Sequence, residues 1–206
     1  MLQRLDKILS NSGRLTRSQA RDALKAGRVA VYGETVRDGA AKFDPETAPV
    51  TLDGAPVAGG TVVLLLNKPA GYVTATRDSR FPTVMDLLPS VYRRRVVPVG
   101  RLDKDTRGLL ILTDDGDFAH RMLAPKSHVW KLYEAELDGP VGPEERERFR
   151  EGISIGDRIC LPAELYLPEG KPSSLVRVRI REGKFHQVKR MFGAVGREVT
   201  ALKRLR

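Results

Sequence analysis

Apolar residues recur along this chain with two periods. Near the N-terminus Leu5, Ile8 and Leu9 fall three and four apart, as on one face of a helix, and Gly13 can end that helix. A second short helix is predicted from Thr16 or Ser18, either of which can cap it. Ala20, Ala23 and Leu24 form its apolar side, and Gly27 stops it. The period then drops to two. Val29 and Val31, a turn at Tyr32-Gly33-Glu34, Val36, and a return near Val50–Leu52 predict a small strand pair. Asp53–Gly60, DGAPVAGG, is rich in Gly and Pro and reads as a linker. It divides the chain into residues 1–58 and 59–206.

The second part opens with Val62–Leu66, an aliphatic run that reads as a central strand. Asn67–Gly71 turns the chain, Tyr72–Thr74 is extended, and Thr83 can cap a short helix through Met85, Leu87 and Leu88 that Pro89 closes. Leu109–Leu112, bounded by glycine and polar residues, predicts a buried strand. The charged loop before it holds Arg101, Asp103, Lys104, Asp105 and Arg107. That strand pins the loop at the edge of a rigid sheet, where catalytic groups are often placed. Asp114 or Asp115 can cap a helix over Phe118–Leu123, which gives both acids a structural role.

Further on, Trp130–Leu137 alternates, with Tyr133, Ala135 and Leu137 on one face. Pro143 starts a charged helix that Gly152 ends. Leu175–Arg181 sets Val176, Val178 and Ile180 against a row of Arg177, Arg179 and Arg181. From Lys184 a helix is predicted, with Phe185, Val188, Met191, Phe192 and Val195 apolar and His186, Gln187, Lys189 and Arg190 polar; a last strand runs through Val199 and Leu202. Strands outnumber helices and connections are short. The predicted class is α+β with a largely antiparallel sheet.

Composition narrows the function. The 206 residues are 41% hydrophobic and 30% charged, ordinary for a globular chain, but the net charge is +10 and the pI about 10. Such a balance points to a polyanionic partner. Residues 1–45 hold 9 Lys+Arg against 5 Asp+Glu, and residues 177–206 hold 10 against 2, so two basic ends flank a near-neutral middle. The helix face carrying Arg14, Arg17, Arg21 and Lys25 is a candidate phosphate contact. No apolar run approaches the ~20 residues of a spanning helix. Arg4, Asp6 and Lys7 interrupt any signal peptide, so a cytoplasmic protein without a membrane partner is expected. Cys160 is the only cysteine, which excludes an internal disulfide and a cysteine-rich zinc site. Walker and dinucleotide glycine motifs and metal-ligand clusters are lacking, so no cofactor or metal is expected.

An aspartate in a loop is most often a turn residue bonded to its own backbone. A calcium loop on Asp103, Asp105, Gly108 and Asp114 fails, because Arg107 stands among the ligand positions and the interior is Leu-Leu-Ile. A metal-dependent nuclease using the Asp-rich loops is a further option. Against these stand long motifs. GRLD followed by DTRGLLILTDDG, with NKPAGYVT before it, KLYEA after it and GKFHQVKRMF near the end, is similar to pseudouridine synthases that modify ribosomal RNA. RLDKIL and TRSQARDALKAGRVAVYGETV resemble the S4 RNA-binding domain over about the first fifth of the chain. EGKFHQVKRMF is closest to the small-subunit, 16S branch; other branches usually read NRQ or NRE in place of FHQ. Members commonly continue past LKRLR, where this chain stops at Arg206.

The resemblance implies an S4-like RNA-binding domain followed by a mainly antiparallel, mixed-sheet synthase domain, acting without cofactor as a monomer on 16S ribosomal RNA or a small-subunit assembly intermediate. It implies Asp103 as nucleophile at C1′ or base at C2′, Tyr133 as the aromatic partner that stacks and moves a proton, and Lys189 as the basic group. Lys189 is expected beside Asp103, where a buried cation favours the ionised carboxylate. Leu202 would line the uracil pocket and Arg101 would contact RNA where the base leaves the stack. Arg190 is a candidate phosphate contact. His186 and His120 pair with no candidate and read as packed or surface histidines. The competing functions are a noncatalytic RNA-binding assembly factor and a synthase for a different ribosomal RNA.

Overall fold

The computed structural model describes residues 2–57, 61–156 and 158–206. In the N-terminal part, β1 (Gln3–Arg4) leads into α1 (Leu5–Asn11), and α2 (Arg17–Lys25) follows. Thr16 caps α2. Its hydroxyl accepts the Gln19 amide while the Gln19 carboxamide oxygen accepts the Thr16 amide, satisfying two otherwise orphaned donors. Four short strands come next, β2 (Val29–Val31), β3 (Glu34–Thr35), β4 (Lys42–Phe43) and β5 (Val50–Leu52). Leu5, Ile8 and Leu9 of α1 and Ala20, Ala23 and Leu24 of α2 are buried in one cluster with Val29, Val31 and Val50. The predicted helical and strand periods thus meet in a single small core.

The expected linker over Asp53–Gly60 is corrected in its first half. Asp53 and Gly54 have φ of 53° and 78°, the left-handed pair of a tight Asp-Gly hairpin. β6 (Ala55–Pro56) turns back onto β5, and Val57 is buried in the same cluster. Residues 58–60 lie outside the described residues.

The remaining elements are β7 (Val63–Lys68), a 3-10 turn at Val84–Leu87, α3 (Ser90–Arg93), β8 (Val97–Val99), β9 (Arg107–Thr113), α4 (Gly116–Leu123), β10 (Lys131–Val141) and α5 (Pro143–Glu151). They are followed by β11 (Ser154–Ile155), β12 (Arg158–Ile159), β13 (Glu164–Tyr166), β14 (Ser173–Ile180), α6 (Gln187–Gly193) and β15 (Val199–Arg204). Among the described residues seven strands form one sheet in the order β13-β14-β10-β15-β9-β7, with β8 also on β9. β10 is antiparallel to both β14 and β15, whereas β15 and β9 run parallel. The chain divides into two compact units, Met1–Val63 with Asp86–Val97 and Leu112–Asp115, and Leu64–Met85 with Pro98–Ile111 and Gly116–Arg206.

One sheet face is apolar. Tyr133 and Ala135 of β10, Val176 and Val178 of β14 and Leu202 of β15 are all buried and lie side by side in register. α6 packs on β15 and α5 on β10 and β13. Phe149 of α5 and Phe192 of α6, both fully buried, meet with ring centroids 5.0 Å apart. Each such ring contributes on the order of 1.5–3 kcal/mol by leaving water. On the opposite face the expected arginine row is largely neutralised: Arg177 reaches Glu134 at 3.3 Å, Arg179 reaches Glu164 at 3.2 Å, and Arg179 and Arg181 lie over Trp130.

Three further expectations are corrected. β7 ends the sheet order rather than sitting centrally, and Val63 and Leu65 are exposed, because a short aliphatic run does not say how many partners its strand has. Of the two acids offered as caps, Asp114 instead holds the Val62 amide at 2.8 Å and Arg95 at 2.7 Å, with both charged side chains nearly buried, which leaves Asp115, directly before the helix, as the candidate cap. The last helix starts at Gln187, not Lys184. His186 takes a left-handed φ of 47°, which turns Phe185 out of the helical face and leaves it 74% exposed.

Candidate active site

The loop between β8 and β9 is fixed through its main chain. The Thr74 hydroxyl donates to the Leu102 carbonyl at 2.7 Å and accepts the Leu102 amide at 3.1 Å. The Gly71 amide donates to the Lys104 carbonyl at 2.8 Å, and the Thr106 amide to the Asp103 carbonyl at 3.1 Å. Below the loop lies Lys68, fully buried, whose Nζ donates to the carbonyls of Pro69, Lys104 and Thr106 at 3.0, 3.2 and 2.8 Å. NKPAGYVT is therefore the cradle of the GRLDKDT loop. Burial pushes the Lys68 ammonium below its ordinary pKa, and the charges of Asp105 and Asp103 oppose that push.

The loop ends at Gly108, whose φ is 104°. A Cβ there would fall 2.1 Å from the Arg204 carbonyl oxygen, so only glycine lets β9 begin against β15. Arg204 Nε donates to the Leu109 carbonyl at 2.6 Å. Gly108 pairs with Arg204, and Arg204 pairs with Tyr133. The tyrosine thus shares a transverse row with the first residues after the loop, and Leu202 lies on the next row of the same face.

Asp103 presents a side chain that is 31% exposed, and His186 Nε2 stands 3.5 Å from its Oδ1. The imidazole is stacked on Phe185, centroids 3.8 Å apart and planes at 17°. Lys189 does not pair with Asp103. Its ammonium grips both oxygens of Asp105 at 2.7 and 2.6 Å. Burial pushes the Asp105 carboxyl up, but the Lys189 hydrogen bonds and charge outweigh it and leave the group below its ordinary pKa. Both corrections have one cause. The left-handed turn at His186 swings the imidazole to Asp103, and a helix that starts three residues later than expected aims Lys189 at the next carboxylate along the loop, Asp105. Lys104 is turned away, its Nζ 3.5 Å above the Phe81 ring.

The other expected residues are dispersed. Arg101 is exposed while its neighbour Leu102 is buried. The Arg190 guanidinium donates to the Ile155 carbonyl at 2.8 Å, bracing the β11–β12 turn. Arg14, Arg17, Arg21 and Lys25 are exposed. Arg17 and Arg21 also lie 3.8 and 3.6 Å from Asp6, a fully buried carboxylate to which Arg4 donates at 3.0 and 2.9 Å. The Arg4 hydrogen bond, against burial, holds Asp6 below the ordinary carboxylate pKa. That half-shared charge fixes the direction in which the two helix arginines point.

Residues 62–194 match the RNA pseudouridylate synthase family, and residues 3–47 match the S4 domain. The chain belongs to the RNA pseudouridylate synthase family. It is 44% identical over 206 residues to an uncharacterized RNA pseudouridine synthase of Bacillus subtilis, covering 98% of this chain and 86% of that one. Ribosomal small subunit pseudouridine synthase A of Escherichia coli strain K12 is 40% identical over 205 residues, covering 98% and 88%. A solved pseudouridylate synthase structure superposes with a TM-score of 0.66 at 34% identity, over 98% of this chain and 87% of that chain.

For an RNA pseudouridylate synthase of S4-plus-catalytic architecture, two residues at this loop, Lys68 and His186, carry little signal in the sequence. Lys68 lies in NKPAGYVT, which reads as a turn and as part of the family resemblance without singling out its lysine; a lysine at the end of an aliphatic run, directly before Pro, is the signal for it. His186 was visible as a polar residue, but nothing in the sequence announced its left-handed backbone. Lys189 thus contacts Asp105 rather than Asp103. Lys189→Met is expected to lower kcat about tenfold, near 1.4 kcal/mol of barrier, with RNA affinity and its salt slope unchanged. A salt slope reduced by about one unit with kcat intact would mark a phosphate contact instead.

Proposed function

We propose that this synthase isomerises a uridine of 16S, small-subunit ribosomal RNA, with residues 1–58 as the RNA-gripping module and 59–206 as the catalytic part. The observation that carries the catalytic assignment is Asp103: a partly exposed carboxylate on a loop whose main chain is held at Leu102, Lys104 and Thr106, with His186 3.5 Å away. The similarity to a ribosomal small subunit synthase supports the substrate class.

The reaction breaks N1–C1′, turns the uracil, and joins C5 to C1′; C5 loses a proton and N1 gains one. As nucleophile, Asp103 forms an ester to C1′ that C5 then displaces. As base, it takes the C2′ proton and returns it after rejoining. Both routes ask the protein for the same thing, one ionised carboxylate held against the sugar of a flipped nucleotide. Tyr133, on the row beside the loop, stacks on the turned base, and its hydroxyl relays the C5 proton. Leu202 walls the uracil side, and Arg101, projecting to solvent, meets the RNA where the base leaves the stack.

Incubating the protein with 16S transcript and with partly assembled small subunits, then mapping new pseudouridine chemically, tests this. A new site in either is expected. Modification of large-subunit RNA alone would reassign the substrate, and no new site in any ribosomal RNA would remove the proposal. Binding should also weaken with salt on a log-log slope of several units, at roughly −0.7 to −0.9 per neutralised phosphate. A flat response would exclude Arg14, Arg17, Arg21 and Lys25 as phosphate contacts.

A further inference from the structure

Beside the reacting loop lies a hollow of about 420 Å³ lined by Ile155, Arg158, Gly183, Lys184, Phe185 and Arg190. Its size is within the roughly 300–1,000 Å³ of small-molecule sites. Resting on the assignment of Asp103 above, we propose that this hollow seats the nucleotide next to the target uridine, its base stacked on Phe185 and its phosphate among Arg158, Lys184 and Arg190.

Phe185 is the first support. A large aromatic ring at 74% exposure is wasted as core. It is held out by a left-handed backbone at His186, a conformation that costs a non-glycine residue energy and persists where function uses it. The ring is not loose. It lies against the His186 imidazole at 3.8 Å, and the imidazole's Nε2 stands 3.5 Å from Asp103 Oδ1. Two stacked rings therefore lead from the reacting carboxylate to the hollow, at close to the ~3.4 Å spacing of successive bases along a strand. An aromatic face offered one stacking step from the chemistry takes a base of any identity, since every base has a π-face.

The cations are the second support. Lys184 is oriented by the Ile159 carbonyl at 2.9 Å and Glu182 at 3.2 Å, and Arg190 by the Ile155 carbonyl at 2.8 Å. Glu182 also accepts the Leu161 amide and the Gln187 carboxamide, both at 2.8 Å, so its charge is shared among several donors. With Arg158 on the same wall, the described lining carries three cationic side chains, and Lys184 and Arg190 are prearranged. Cations around one exposed ring match a single-stranded nucleotide, anionic at one end and flat at the other.

The test uses the full chain and a labelled short single-stranded RNA holding one uridine, with versions that carry an abasic residue on either side of it. Phe185→Leu should weaken Kd about 5- to 150-fold, the worth of one base–aromatic stack. An abasic residue on one side should weaken wild-type binding by the same factor, and the two changes together should cost no more than either. Arg158→Gln should lower the salt slope by about one unit. Equal binding by Phe185→Leu and wild type, losses that simply add, or an unchanged slope would overturn the subsite. Because these readouts are of binding, they separate from the proposed function: missing pseudouridine in 16S RNA with the coupling intact fails only the reaction, and pseudouridine formed with additive losses fails only the subsite.

Discussion

Asp103→Asn is expected to bind RNA at least as well as wild type and to form no detectable pseudouridine, a loss of at least roughly 10⁴-fold, the upper end for one positioned group. The substitution keeps size and removes both nucleophile and base. The loop should not move, since Thr74, Gly71 and Lys68 hold its backbone carbonyls and amides and none of them holds the Asp103 carboxylate. Affinity is expected to be steady or slightly higher, because a negative charge leaves a surface that meets phosphates. Tyr133→Phe, which keeps the buried ring on β10 and deletes only the hydroxyl, should bind and then stall. Single-turnover mapping alongside a binding isotherm reads both, and wild-type turnover in Asp103→Asn would remove the assignment.

What the sequence made legible was local periodicity and motif. Thr16 as a cap, Val176, Val178 and Ile180 as an inward face, and Asp103 at the mouth of a buried strand all follow from patterns a few residues long. What it hid were facts set by two distant segments at once. Val62–Leu66 looks alike as a central or an edge strand, because the number of its neighbours is decided by the order in which β9 and β15 pair. Asp53-Gly54 is both a linker composition and a hairpin signal, and the choice lies with Val57, which finds room in the N-terminal cluster. The pairing of Lys189 is hidden by a local cause instead: the left-handed residue His186 sets the helix start at Gln187, and Lys189 comes to face Asp105. A buried cation does lie beneath the loop, but it is Lys68, at the end of β7, and it holds backbone carbonyls on either side of Asp105 rather than the Asp103 carboxylate.

Lys68→Met is therefore expected to be the most damaging substitution in the loop's support. Methionine fills much of the same volume yet leaves the Pro69, Lys104 and Thr106 carbonyls without their shared donor. Breaking a buried, charge-assisted arrangement by removing one partner costs about 3–5 kcal/mol, partly offset here because the ammonium no longer has to be desolvated. Activity should fall with stability, since the backbone on both sides of Asp105 is released. The pH dependence separates this from simple loss of packing. The folded-state pKa of Lys68 lies below its ordinary 10.5, so between the two values the unfolded chain binds the extra proton. Stability from this group then rises with pH in that window and is level below it. The gap in unfolding free energy between wild type and Lys68→Met should accordingly widen as pH climbs toward 10.5, while the other titrating groups, common to both proteins, cancel. Urea unfolding of the two proteins from neutral to alkaline pH measures the gap, and one that stays constant or narrows would mean that Lys68 is not the strained cation its burial implies.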